Sequence, residues 1–581
     1  MSRPFVAYPF SPQRHPATLP SLVDGVDAQH HPVVVIGGGP VGYVTALGLA
    51  QHGVRVVLLE ADDSVCSGSR AICISRRSLQ IAQRLGAGDG FMAIGLPWTG
   101  GRSFYRDTEV FRFSMPQDID QKLPPMVNLA QYHIEQILLD RALQSPELID
   151  IRWQTRVTAI EPLSNGARLA VSTPDGDYTL KADWVVAADG GRSLVRDALG
   201  LKLQGTTYEG RYVIVDILLD SDRATERLAF FDPPCNPGST VLVHKQPDRV
   251  WRIDYQLRDD EDADEAVRPE NVMPRVESLL QMMGEHGAWS PIWITVYKAN
   301  ALSLERYRHG RVLFAGDAAH LVPIFGVRGA NSGIDDADNL AWKLAFVIKG
   351  LAGDELLDSY SDERVAAAHE NLTQATKSTE FMAPPSFAFE LMRRAVLSLA
   401  VKHPGLSSLI NPRQTSAITY TQSPLNLHDD SDEFDAGPGL GAVFAESALT
   451  IVENGSMQPG HLGDLLGPHF TALLFTESGQ IDWSFVDLER ACRADGVPLR
   501  LIALSAKVSD SSRARQSAFD HTGRLFPLYG ATPGTIYLLR PDGHVLARWR
   551  KPQAQTLRRA IDRTLQRLGV PSLEETVDAP Q

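Results

Sequence analysis

The stretch HPVVVIGGGPVGYVTALGLAQHGVRVVLLEADD, residues 31–63, constrains this chain more than any other. Val33 to Ile36 read as a buried strand, and Gly37, Gly39 and Gly42 form a GxGxxG turn that encloses Pro40 and Val41. A helical pattern runs on through Leu49, and a second apolar strand ends at Glu60. This succession makes a βαβ unit whose helix N-terminus receives a pyrophosphate, with the acid placed to accept hydrogen bonds from a ribose. A dinucleotide is expected here, and NAD and FAD both satisfy the unit.

Composition limits the rest. A chain of 581 residues is too long for one core. Its net charge of −14 argues against nucleic acid or an anionic membrane as the main partner. Cys66, Cys73, Cys235 and Cys492 show no CxxC spacing and the histidines form no HExxH, so no metal is expected. No window approaches the roughly eighteen apolar residues of a membrane span, and residues 1–30 hold no continuous apolar run, so a cytoplasmic protein is expected.

Two later stretches end apolar strands in an acid. In ADWVVAADGGRSLVRDALG, Val185 to Ala188 lead into Asp189-Gly190, and a short helix carrying Ser193 and Arg196 follows. In RVLFAGDAAHLVPIFGVRGANSG, residues 311–333, a strand stops at Gly316-Asp317, and more glycines follow before a helix. Asp317 can accept from a ribityl hydroxyl, and Gly326, Gly329 and Gly333 let backbone approach a flat ring. A helix starting near Asn331 aims its first amides at the pyrimidine edge of a flavin, where charge develops on reduction. These features favour FAD over NAD as the resident group.

Between about 206 and 300 the pattern changes to alternating strands. Trp251, Ile253, Tyr255 and Leu257 alternate with Arg252, Asp254, Gln256 and Arg258, which predicts a sheet with one covered face. Helix is expected from Ile334 to about 402, a polar linker over 411–442, and a last unit with strands in FTALLF, LRLIALS and TIYLLRPDGHVLARWR.

Taken in order, the three signatures resemble those of the FAD-dependent aromatic hydroxylases, single-component flavoprotein monooxygenases that include the 3-(3-hydroxyphenyl)propionate, resorcinol, phenol and p-hydroxybenzoate hydroxylases. Gly37, Gly39, Gly42 and Glu60 match their dinucleotide fingerprint, and Asp189, Gly190, Ser193 and Arg196 match DGxxSxxR. GDAAHLVPIFGVRGANSGIDDADNLAWKL matches the third, in which the resemblance implies that Asp317 holds the ribityl chain and Pro323 lines the reactive side of the flavin. SRAICISRRSL resembles the segment beside the flavin, implying Arg70 and Ala71 near the ring, and AQYHIEQILL the following helix, implying Gln131 at the FAD. Gly316, Gly329, Ala330 and Asn331 complete the implied cofactor set. The sequence departs from the family at Pro323-Ile324, usually Pro-Pro, and at Val327-Arg328-Gly329, commonly Gly-Gln-Gly. Arg328 either steadies an anionic flavin or substrate, or is an ordinary loop arginine.

The resemblance implies an α/β fold: a Rossmann-like FAD-binding domain, a mixed-sheet substrate domain of the p-hydroxybenzoate hydroxylase kind, and a C-terminal thioredoxin-like domain. The expected division is an extension over 1–30, FAD domain over 31–205 and 301–375, substrate sheet over 206–300, helical segment over 376–410, linker over 411–442, thioredoxin-like unit over 443–570 and tail over 571–581. Thr532-Pro533 sits where the thioredoxin fold carries a cis proline, but CxxC is missing, so packing or a homodimer contact is the expected role. The implied activity is hydroxylation of a phenolic ring with O2 and NADH or NADPH through a flavin C4a-hydroperoxide. Tyr208, His244, Asp254 and Tyr255 are candidates for activating the ring, with Arg252 as a carboxylate partner. An oxidase or halogenase on the same scaffold and a non-catalytic flavin-binding protein are the alternatives; PIWITVYK lacks the halogenase Trp-x-Trp-x-Ile-Pro signature.

Overall fold

Unbroken apolar runs suit strands covered on both faces. His31–Ile36, Val56–Leu59 and Val312–Phe314 are such runs, with Val33, Val34, Val35, Val312, Leu313 and Phe314 wholly buried. The computed structural model describes residues 3–566 apart from 69–70, 118, 259, 411–413, 428–429, 454–455 and 508–515, and without the side chains of 208, 209, 299 and 431. Its first sheet sets five parallel strands in the order Ile149–Arg152, Val56–Leu59, His31–Ile36, Tyr178–Ala187, Val312–Phe314. Ala187 lies beside Ile36 on one side and Phe314 on the other. Three strands therefore end level, and the loops that follow begin side by side at the carboxyl edge of the sheet. A hairpin of Leu22–Val23 and Val26–Asp27, from the expected N-terminal extension, joins this sheet at Thr179.

The helices Pro40–Gln51 and Gly329–Ile348 pack so closely that a Cβ on Gly48 would stand 2.6 Å from that of Ala341. Behind them runs a long helix, Leu356–Met382, which passes residue 375 without a break.

The second sheet has eight strands, in the order His320–Leu321, Trp289–Ser303, Gln204–Leu219, Val250–Gln256, Thr240–Lys245, Arg227–Phe231, Gly100–Tyr105, Thr108–Ser114. The sheet thus draws two strands from residues 100–114, well before 206, because Arg227–Phe231 pairs in parallel with Gly100–Tyr105. Both of its faces are covered, contrary to the expectation of one. Val213, Val215, Trp251, Ile253 and Tyr255 pack against the helix Pro269–Met283. The alternating set is also buried: Arg252, Asp254, His244 and Asp216.

A third sheet orders Gln516–Phe519, Leu499–Ser505 and Phe470–Thr476 in parallel, followed by antiparallel Ile536–Leu539 and Val545–Trp549. The helix Trp483–Ala494 links two of the parallel strands, and Ala554–Thr564 follows the last strand. The expected cis proline is absent: the peptide bonds of the described residues are trans. Thr535 N–H donates to Thr532 C=O at 2.9 Å and Gly534 has φ +100°, a turn with trans Pro533 at its second position. Nor is the stretch after 413 a loose connector, since Ile418, Tyr420, Leu425 and Leu427 are buried.

Candidate active site

Three level strand ends deliver the three sequence signatures to one place. Gly37 leaves the first strand at φ +104°, where a Cβ would lie 2.5 Å from the Ala188 carbonyl, so the chain can turn there only as glycine. A Cβ on Gly42 would lie 1.9 Å from the Gly37 carbonyl, which fixes helix against strand. Gly39, ahead of Pro40 at the helix start, has open space where a Cβ would be. Glu60 is clamped beside this loop: its Oε2 accepts from Gly38 N–H at 2.6 Å and its Oε1 from Asp62 N–H at 2.8 Å. Burial raises its pKa against those hydrogen bonds.

Next to it, Asp189 Oδ2 accepts from Val195 N–H at 3.1 Å, while its Oδ1 is buried with no hydrogen-bond partner among the described residues. Gly190 holds φ +81° beside it. Arg196 ties this loop to the third signature, donating to the Gly191 carbonyl at 2.7 Å and the Ala318 carbonyl at 3.2 Å. In that third loop Asp317 alone is exposed between buried Val312 and buried His320. Gly316 and Gly333 close on Val41: a Cβ on either would meet Val41 Cγ2 within 2.9 Å and 2.6 Å respectively.

The helix begins at Gly329, two residues earlier than the Asn331 start expected. Its first intrahelical bond runs from Ser332 N–H to the Arg328 carbonyl, so the amides of Gly329, Ala330 and Asn331 lie ahead of the ladder. The Asn331 side chain is a staple: Oδ1 accepts from Ser75 N–H at 2.9 Å and Ser78 Oγ at 2.7 Å, and Nδ2 donates to the Cys73 carbonyl at 3.0 Å. It fixes the segment after Ala71 against the helix start. Gln131 meets that segment too, its Oε1 accepting from Ala71 N–H at 3.2 Å. Arg70 lies outside the described residues. A buried carboxylate oxygen left open at Asp189, open space for a Cβ at Gly39 and Gly329 beside two helix starts and one exposed acid in a buried loop fit a phosphate-linked, hydroxyl-rich cofactor such as FAD.

On the substrate side, Pro323 is buried and Val327 holds φ +52°, the left-handed turn where the resemblance has glycine. Arg328 is not a loop-surface group. It is buried, donating to Asn371 Oδ1 at 3.0 Å and to the Gln414 carbonyl at 3.2 Å, and burial lowers its pKa against Glu370. Tyr255 belongs to the apolar face, its ring under Arg275 at 5.1 Å, away from His244 and Asp254. The side chain of Tyr208 lies outside the described residues. Arg252 is held by Asp216 through two hydrogen bonds of 2.8 Å, and Tyr8 donates to the same carboxylate at 2.5 Å.

Sequence reasoning missed the buried charges under the site. Asp336 accepts from Gly316 N–H at 3.0 Å and bonds His320 and Arg364 at 2.6 Å each. Burial would raise its pKa, but His320 and Arg364 hold it down at about 2. Further back, Glu363 accepts from Arg540 at 2.6 and 3.1 Å and from Lys343 at 2.8 Å. The Arg540-Pro541-Asp542-Gly543 turn of the third unit is thereby locked to the flavin-side helices, and Trp342 Nε1 donates to Asp542 at 3.0 Å. Among the described residues no helix is long and apolar enough to cross a membrane.

Residues 30–375 match the family model described as FAD binding domain. The chain is 32% identical to the 3-(3-hydroxy-phenyl)propionate/3-hydroxycinnamic acid hydroxylase of Klebsiella pneumoniae, over 89% of this chain and 91% of the relative. It is 28% identical to the 6-methylpretetramide 4-monooxygenase of Streptomyces rimosus, over 90% and 92%. In fold it is similar to the flavin-dependent monooxygenase PieE, solved with FAD and substrate, with a TM-score of 0.75 and 22% identity over 93% of this chain and 99% of the other.

Proposed function

Because the chain belongs to the FAD-dependent aromatic hydroxylases, flavoprotein monooxygenases with FAD as cofactor, we propose that it hydroxylates a phenolic ring with O2 and NADH or NADPH. The observation that carries the reading is the register that ends three strands level and sets the Gly37, Asp189 and Asp317 loops side by side. Gly37, Gly39, Pro40, Val41 and Gly42 would hold the pyrophosphate, Glu60 the ribose and Asp317 the ribityl chain. Asp189 and Gly190 would flank them, with Arg196 and Gln131 positioning the loops. Gly316 brings Asp317 forward, and the amides of Gly329, Ala330 and Asn331 would meet the pyrimidine edge. FAD, when bound, supplies the two-electron carrier and the oxygen-transfer chemistry.

The chain's own residues exclude water and orient the ring. Cys73, Trp98 and Met126 form an apolar cluster joined by Ile72, Phe113, Met115 and Val327, and a dry wall of this kind protects a reactive site from hydrolysis. Pro323 would line the same side. Arg328 acts through Asn371 and Gln414, holding the helix start rather than touching the ring. The names of the relatives support a phenol bearing a short acid chain or a larger polycyclic phenol. We read residues 443–566 as a thioredoxin-like unit without CxxC, given its sheet order, and its role as packing through the Arg540 turn, alone or together with a homodimer contact. Four cysteines outside any disulfide support a cytoplasmic setting.

The test is oxidation of NADH and NADPH by the FAD-loaded chain, with and without phenols, under labelled O2. Phenol-stimulated oxidation with one labelled oxygen in the product is expected. Peroxide without labelled product, or no stimulation, contradicts the reading.

A further inference from the structure

The polar face of the second sheet carries three ionisable groups that each hold a buried atom with no hydrogen-bond partner among the described residues. Leu228 pairs with Val243 and His244 with Arg252, which sets Arg227, His244 and Arg252 in one row across three adjacent strands. Asp254, two residues beyond Arg252, shares the face. Arg252 is satisfied by Asp216. The other three are not, although Arg227, His244 and Asp254 are only 3%, 4% and 7% exposed. Arg227 Nη1, His244 Nδ1 and Asp254 Oδ1 are each buried without a hydrogen-bond partner. Other buried atoms without a hydrogen-bond partner occur, among them Gln256 Oε1 on this face and Tyr255 Oη on the opposite, apolar one, but neither belongs to a group that is charged at neutral pH.

Leaving polar atoms of a cation and an acid buried without a hydrogen bond is costly. Such an arrangement calls for a missing partner. Arg227, Arg252 and Asp254 all act electrostatically on Cys73, which lies two residues past Ala71 in the segment stapled to the flavin-side helix. Cys73 Sγ donates to Asn128 Oδ1 at 3.0 Å, and Trp98 Nε1 donates to the same oxygen at 2.7 Å, so both side chains are pinned.

We propose that Arg227, His244 and Asp254 form the polar end of the substrate site and receive the ionisable oxygen of an aromatic ligand: Asp254 accepts the proton of a phenolic hydroxyl, and Arg227 holds the phenolate. The inference rests on the hydroxylase reading and adds to it the ligand group and the residues that meet it. The phenol O–H bond breaks, its electron pair stays on the ring oxygen opposite Arg227, and a new O–H bond forms on the Asp254 carboxylate; no redox equivalent is needed. The charged groups around Asp254 are Arg227, Arg252 and Asp216, with Tyr8 behind Asp216. Burial raises Asp254 to about 7, Arg252 and Arg227 oppose, and Asp216 adds to the rise. Its carboxylate is then basic enough to share a phenolic proton near neutral pH. Burial, then Arg227 and Arg252, push His244 down to about 3, so it stays uncharged. Burial pushes the Cys73 thiol up to about 12, so it remains protonated.

The oxidised, FAD-loaded chain is titrated with 3-ethylphenol, 3-phenylpropionate and 3-(3-hydroxyphenyl)propionate, following flavin difference absorbance and the phenolate band across neutral pH. Both phenols are expected to bind with a phenolate signal. Arg227→Gln should weaken them about ten- to a hundredfold, the equivalent of one charge-assisted hydrogen bond. Arg227→Lys should recover most of that loss, and Asp254→Asn should remove the phenolate signal while flavin is retained. If Arg227→Gln weakens 3-phenylpropionate and spares 3-ethylphenol, Arg227 holds a carboxylate and the phenolate assignment is overturned. Wild-type Kd and phenolate signal in both neutral variants overturn the site altogether. Should a neutral variant lose its flavin, Arg227→Lys and Asp254→Glu are read instead, and an unchanged Kd and apparent pKa count against the proposal. None of these titrations needs turnover, so normal phenolate binding without hydroxylation defeats the hydroxylase reading alone.

Discussion

Behind the helix Gly329–Ile348, Asp336 meets His320 and Arg364, and Glu363 meets Arg540 and Lys343, every charge in contact with an opposite one. Across the molecule, on the second sheet, Arg227, His244 and Asp254 are also buried, yet Arg227 Nη1, His244 Nδ1 and Asp254 Oδ1 have no hydrogen-bond partner among the described residues. The first set has the form of structure: it fastens the loop of Asp317 and docks the third unit. The second has the form of a socket. A buried charge that is fully paired says little about chemistry, whereas unpaired ones gathered on one face mark where a ligand completes the protein.

Breaking the closed set should have the largest effect. Glu363→Ala leaves Arg540 and Lys343 buried without their carboxylate and is expected to cost about 3–5 kcal/mol, read as a lowered denaturant midpoint. A smaller loss, about 2–3 kcal/mol, is expected for Asp336→Asn. Its pH dependence has a definite sign. Asp336 is held at about 2, below the unfolded value of roughly 3.9, so its stabilisation is fully present above about pH 4 and is lost as pH falls towards 2. Wild type and Asp336→Asn should therefore converge in acid; a constant gap would mean that the carboxylate is not what matters.

Asp317→Ala sharpens the comparison from the cofactor side. The residue is exposed, so unfolding should be unchanged while the FAD Kd rises about tenfold or more, measured by calorimetric titration. Asp254→Asn should reverse the usual sign. Its raised pKa means that stability falls as pH climbs from about 4 to about 7, so the Asn variant should be more stable than wild type at about pH 8, with the gap closing towards pH 4. Thermal denaturation at two pH values decides this. A destabilised Asp254→Asn would show the acid to be structural and erase the contrast.

The cofactor half was legible because its signals are local. Gly37, Gly39, Gly42 and Glu60 lie within one βαβ unit, and Asp189 and Asp317 each end an apolar run. What distance in sequence hides was not legible. Asp336 and Arg364 stand on different helices, and Glu363 and Arg540 in different units, with no periodicity to connect them. Arg227 opens the short strand Arg227–Phe231, whose only trace in sequence is one cation before an apolar run. The strands of residues 100–114 were missed because their partner comes more than a hundred residues later. Arg328 was read from its loop alone, and its partners Asn371 and Gln414 come from elements far down the chain. Tyr255 was a candidate for activating the ring, although the alternation in the sequence already puts it with Trp251 and Ile253 on the apolar face.

The most direct measurement is a crystal structure of the oxidised chain with FAD and 3-(3-hydroxyphenyl)propionate. The expected result has the ribityl chain on Asp317, the pyrimidine edge at the amides of Gly329 to Asn331, and the ligand hydroxyl between Asp254 and Arg227. A flavin seated elsewhere, or a ligand that leaves the Arg227 row untouched, would contradict the account.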